Sequence, residues 1–260
     1  MRLLLILFYC FSQFVGVAQT SAAIRLKFEN KDSRVLVDGL TNIYVIHADE
    51  LKKYNASGVF LKAFSNKRYG NIVDVDVSNP LKILVYYREF QQVLFLDNQL
   101  SPANNAISLE TIGFEQASLV CTSVNNSFWL YDKQNNELLR FDAELKVLVR
   151  TGNLKRILDI DLKPNYMREH GSYLYLNCPR EGILVFDIYG TFYKTIPVKN
   201  LTEFNIINGN IFYYDKPSLK EYQVQTFNTI EKTFPDTLLR KVYWRNNNYY
   251  EVYSDSLIMR

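Results

Sequence analysis

Histidine is the scarcest catalytic side chain in this sequence. Only His47 and His170 occur in 260 residues, too few for a histidine metal cluster or a chain of proton carriers. His47 has Asp49 and Glu50 beside it, the one place where a Ser–His–carboxylate set has its last two members close in sequence. A G-x-S-x-G nucleophile elbow, which such a set needs on this kind of site, is missing. Two acidic pairs, Asp74/Asp76 and Asp159/Asp161, stand at alternate positions. On a strand, that spacing points both carboxylates to one face. A calcium site needs several such oxygens converging, so each pair reads more simply as part of a solvent-facing or channel-lining strand. A carboxylate pair for glycoside chemistry is set by geometry and leaves no spacing to read. No phosphate loop or dinucleotide fingerprint is present. No metal and no cofactor are expected.

Composition bounds the partners. The chain is 48% hydrophobic and 15% aromatic, with 19 Tyr and 17 Phe, and carries a net charge of +3. That is enough apolar surface for a large core and favours strands. The small, scattered charge gives no reason to expect nucleic acid or an anionic membrane. Arg2, the apolar run Leu3–Phe11 and the small residues Gly16-Val17-Ala18 read as a signal peptide, 1–18, with 19–260 as one domain. The apolar run is shorter than the ~20 residues of a spanning helix, so an exported protein of the periplasm or cell surface is expected. No integral membrane segment should remain after cleavage. Cleavage leaves Cys121 and Cys178. A disulfide is open to them in an oxidising compartment. Their strand-like settings, LVCTS and YLNCP, favour two buried small hydrophobes.

The elements that would position any site repeat along the chain. Tyr173–Asn177, then GILVFD, a turn at Ile188–Gly190 and TFYKTI read as strand, strand, tight turn, strand. Comparable triplets begin at Ile43, Ile83, Phe128, Ile211 and Val242, and each has a further strand-like run before it. For the last triplet that run is Thr237–Lys241. The intervals of roughly 30 to 46 residues sit near the ~40–45 of a propeller blade. The fold class is therefore all-β: a β-propeller of four-stranded antiparallel blades, most simply six. Ala22–Phe28, AAIRLKF, has no copy of its own. It reads first as a latch pairing with the last blade, which would cover an exposed edge; the alternative is that Leu257–Arg260 already fills that place and Ala22–Phe28 is an extra outer strand.

Gly182-Ile183-Leu184-Val185-Phe186-Asp187-Ile188-Tyr189-Gly190 resembles the apolar–aromatic–Asp–x–x–Gly hairpin of NHL-like six-bladed β-propellers. Asn42–Ile46 and Asn126–Asp132 resemble the strand before that hairpin. The resemblance runs over nearly all of residues 19–260. It departs from the pattern in having 10 Gly in all and His47 where the strand often ends in Asp. The chain as a whole also resembles exported propeller-like proteins of Gram-negative bacteria. The resemblance implies a fold and no particular activity.

Propellers bind ligands near the channel, on the face carrying the loops after the second and fourth strands of each blade. This register places His47, Arg88, Glu89, Asp132, Arg180, Glu181, Asp215 and Arg245 there as candidate binding residues. Such a mixed ring suits an acidic sugar or a peptide. The simpler reading of each is a charged, solvated loop. The aromatics Tyr243, Trp244, Tyr249, Tyr250 and Tyr253 suit stacking on a sugar, or packing between blades. The functional expectation is a non-catalytic binding or scaffold propeller that holds a protein or glycan in the cell envelope. The alternative is a hydrolase or lyase with a carboxylate or metal site at the channel mouth.

Overall fold

The computed structural model describes residues 23–260, so the expected signal peptide and Cys10 lie outside it. It contains six sheets, each of four antiparallel strands. Blades 1 to 5 follow the chain, at 34–65, 74–108, 117–150, 166–196 and 205–233, each running from its inner strand to its outer one. Blade 6 takes three strands from 241–259 and its fourth from the other end, where Ile24–Lys27 pairs with Ser256–Met259. The ring is thus closed by the latch, which supplies the outer strand that brings the last blade to four.

That closure shifts the last blade by one strand from the sequence reading. Lys241–Arg245 is its inner strand, and Thr237–Lys241 does not form a separate one. Only three of its strands are C-terminal, because the fourth comes from the start of the domain. The run before blade 4 also resolves: Leu154–Leu158 is a short helix capped by Asn153, and Tyr166–His170 is the inner strand.

The hairpins between third and outer strands show why the repeat is visible yet poor in glycine. In blades 1 to 4 the Oδ1 of Asn55, Asp97, Asp142 or Asp187 accepts two backbone N–H groups, two and four residues on, at 2.8–3.0 Å. The residue three positions after each has positive φ: Gly58, Leu100, Leu145 and Gly190. Left-handed backbone ordinarily favours glycine. At the two leucines the side chain packs into the seam between blades instead, which offsets the local strain.

The core lies between blades and leaves the axis polar. Each of the six apolar clusters joins two neighbouring blades. Of the C-terminal aromatics, Tyr243 and Tyr250 pack against blade 1, while Trp244, Tyr249 and Tyr253 pack against blade 5. Their alternation is therefore seam packing from the two faces of one strand pair. Cys121 and Cys178 are buried free thiols in the seam between blades 3 and 4, and burial raises both pKa values, that of Cys178 to about 12. Among the described residues no helix is long and apolar enough to cross a membrane.

Candidate functional site

The six inner strands face each other across the channel, and several begin with a charged residue or carry one: Arg34, Asp74, Arg168 and Lys241, with Glu203 in the loop just before the inner strand of blade 5. The centre of this set is an ion pair across the axis. Arg168 of blade 4 donates to both oxygens of Asp74 in blade 2, at 2.8 and 2.9 Å, and to the Val75 carbonyl at 3.0 Å. Its Nε lies 3.7 Å from Asp76. Burial opposes the charge on this guanidinium, but Asp74 and Asp76 hold its pKa well above the ordinary value. Asp76 is in turn fixed by blade 3, accepting from the Thr122 N–H and hydroxyl at 2.9 and 2.8 Å. The bidentate fork matches a carboxylate in shape as well as charge. Asp74 and Asp76 do share one face of a strand, and that face lines the channel, where an arginine takes up their charge.

On the side where the inner strands begin, the channel opens into a cavity of about 360 Å³. Arg34, Arg88, Arg168, Arg240 and Lys241 line it, with only Asp74 and Glu203 as carboxylates. Asp74 belongs to Arg168, and Glu203 pairs with Lys241. Burial lowers the Lys241 pKa, and Glu203 pushes it back up. Arg240 reaches Asp32 at 3.1 Å. Arg34 donates to the Val73 and Ile72 carbonyls at 2.6 and 3.2 Å, and Arg88 to the Ser118 carbonyl at 3.0 Å. Among the described residues neither has a carboxylate partner. Each of these two exposed guanidiniums is thus held in place by backbone while its charge stays uncompensated. That arrangement can receive an anion.

The opposite mouth is narrower, about 170 Å³, and is lined by Asp76, Glu169, His170 and Arg245 among others. Glu169 is committed to blade 3, accepting from the Ser123 hydroxyl, the Val124 N–H and the Trp129 indole at 2.5–2.9 Å. Burial, then the nearby Arg245, holds the His170 pKa below its ordinary value.

The sequence-predicted residues scatter over this frame. Arg88 lines the cationic mouth. His47 ends the second strand of blade 1, and Glu89, Arg180 and Glu181 sit in the loops after second strands, all on the same face but outside that cavity. Asp215 is on that face as well, bonded to Lys220 at 2.6 Å. Two placements need correction. Asp132 is buried and spent on its own turn, accepting from the Gln134 N–H and the Asn135 amide at 2.9 and 2.6 Å. Arg245 ends an inner strand and lines the opposite mouth, a consequence of the one-strand shift in blade 6. Sequence reasoning missed Arg34, Arg168, Glu203 and Lys241. For Arg34 and Lys241 the signal was a charge at the head of an otherwise apolar run, RVLV and KVYW. Among the described residues no group of three or more His, Cys, Asp or Glu could hold a metal ion.

No protein-family model matches the chain, and no curated protein matches its sequence. Solved structures do resemble it in fold. Virginiamycin B lyase from Staphylococcus aureus, in a catalytically inactive form with quinupristin, superposes with a TM-score of 0.58 at 9% identity, over 89% of this chain and 80% of that one. The WD40 β-propeller domain of Doa1 gives 0.55 at 11% identity, over 92% and 97%. BBS1N, in complex with ARL6DN, gives 0.53 at 9% identity, over 86% and 75%. One neighbour is a lyase and another is held in a protein complex. At these identities the likeness establishes one thing, that the chain has the fold of a β-propeller.

Proposed function

We propose that this is an exported binding propeller that holds a protein or glycan partner in the cell envelope. The contact face is the one carrying the cationic mouth. The observation that carries the reading is the pair Arg34 and Arg88, two exposed guanidiniums oriented by backbone carbonyls and uncompensated at a concave site. Preoriented cations in a cleft focus the field and favour an anionic group there. Export is supported by the basic start, apolar run and small residues of 1–18. The test is capture of partners from the envelope fraction by the tagged protein, by an Arg34→Ala/Arg88→Ala variant and by Arg180→Ala. The expected result is a partner lost with the first variant and kept with the second, since Arg180 shares the face but lies outside the mouth. No partner surviving the wash, or one indifferent to Arg34 and Arg88, would sink the proposal.

A second reading, a lyase or hydrolase at the same mouth, is favoured by Asp74 and Glu203 both lining it and by the lyase among its fold neighbours. There Glu203→Gln would abolish turnover of the captured ligand while leaving its binding intact.

A further inference from the structure

The cationic mouth does not stop at the channel. A second cavity of about 760 Å³ shares Arg88, Ser118, Leu119 and Asn165 with it. It runs outward over blades 3 and 4 and adds Glu115, Lys133 and Lys163 to the charged lining. Together the two cavities are lined by seven cationic and three acidic side chains. That surplus of four exceeds the net +3 of the whole chain. The basic charge of this protein is therefore gathered along one groove. Two of the three carboxylates are already paired inside the mouth. Lys163 has an exposed, loose partner in Asp161 at 3.5 Å, while Lys133, Arg88 and Arg34 have no carboxylate within ion-pair distance among the described residues.

We infer that this groove takes an extended acidic peptide segment, with one carboxylate seated between Arg34 and Arg88 and others along Lys133 and Lys163. The inference rests on the binding reading above and narrows it. The aromatic lining favours peptide over glycan or nucleic acid. A pyranose ring or a base needs a free aromatic face to stack on. The rings lining the groove are Tyr131, Tyr166 and Tyr243. Tyr131 and Tyr243 are buried. The Tyr166 ring is occupied by the Arg168 guanidinium, 4.4 Å from its centroid, and by Phe204 at 5.1 Å. What remains open is guanidinium, ammonium, hydroxyl and backbone carbonyl, which suits carboxylates and peptide N–H groups. The exposed tyrosines, Tyr189 and Tyr193, belong to the outer hairpin of blade 4, away from the groove.

The test is fluorescence anisotropy of the mature protein with a labelled oligoglutamate peptide, with oligogalacturonate and oligo-dT as competing probes. The expected result is saturable peptide binding that weakens as salt is raised, because the contacts are screened surface charges. Lys133→Glu removes no internal contact, so folding is not at risk. It should weaken the peptide about tenfold, in line with a reversed charge at a rim. Arg34→Ala/Arg88→Ala should weaken it further, and Arg180→Ala should leave it unchanged. Tighter binding of oligogalacturonate or oligo-dT than of the peptide overturns the inference, as does peptide binding indifferent to Lys133→Glu. If oligoglutamate fails to bind while an envelope partner is still captured through Arg34 and Arg88, the inference falls and the broader binding reading stands.

Discussion

The seam between blades 3 and 4 and the seam between blades 5 and 6 are built from the same repeat to very different depth. The first holds thirteen buried residues, among them Trp129, Tyr131, Met167 and Phe186, and the second holds four. The first also carries polar stitching, with Glu169 of blade 4 holding the Trp129 indole of blade 3. On the thin side the inner strand of blade 5 has three residues, Asn205–Ile207, and its outer strand, Thr229–Thr233, is exposed throughout. Both regions close the ring, so closure alone does not fix how deeply a seam must pack. The thick seam lies beneath the groove that gathers the basic charge, and Met167 and Leu162 of that cluster flank Arg168 and Lys163 in sequence. A rigid seam there would keep the cationic side chains in fixed relation.

The comparison can be broken by truncation. Trp129 is fully buried and its N–H is bonded. Trp129→Ala is expected to cost about 4 kcal/mol, from lost contact, a cavity and the loss of one of the three hydrogen bonds Glu169 accepts. Leu239→Ala, at a residue equally buried in the thin seam, should cost roughly 2 kcal/mol, the low end for such changes, because exposed neighbours can relax into the space. Urea unfolding of the two variants measures both. Equal losses would mean that the thin seam is as rigid as the thick one.

How much of this contrast could be read from sequence follows from the range of the interactions. The hairpins are local, and Asp187-x-x-Gly190 announced one in full. Where Leu100 and Leu145 take the glycine's place the local signal fades, since the compensation is packing against another blade. The latch was legible because AAIRLKF is a strand without a blade. Its effect on the last blade was missed, and with it the side of the disc on which Arg245 lies. The site was mostly hidden. Arg168 and Asp74 are separated by 94 residues, and no local pattern ties a guanidinium on one inner strand to a carboxylate two blades away. Loop charges such as Arg180 and Asp215 are conspicuous in sequence but only Arg88 among them reaches the mouth.

That long-range pair offers a second way to sharpen the contrast. Arg168→Met leaves Asp74 and Asp76 as unpaired carboxylates at the axis, and breaking such a buried pair costs about 3 kcal/mol. Adding Asp74→Asn should recover part of the loss, giving a coupling well above the ~0.5 kcal/mol expected between independent sites. The double-mutant cycle by chemical unfolding reads this directly. An additive cycle would mean that the two blades are held together by their seams alone.

The smallest expected effect concerns His170, which ends an inner strand on the thick side and faces Arg245 of blade 6 at the narrow mouth. Burial, then Arg245, lowers its pKa in the folded state below the ordinary 6.5. The unfolded chain therefore binds a proton more readily than the folded one as pH falls below that value. The contribution is present above the unfolded pKa and is lost as pH falls toward the folded one. Melting temperature should thus decline gently on going from neutral to mildly acidic pH, and His170→Gln should flatten that part of the curve. Arg245→Gln should flatten it less, since the neighbouring charge is the second cause of the shift and burial the first. A His170→Gln curve parallel to the parent would place the acid sensitivity elsewhere in the molecule.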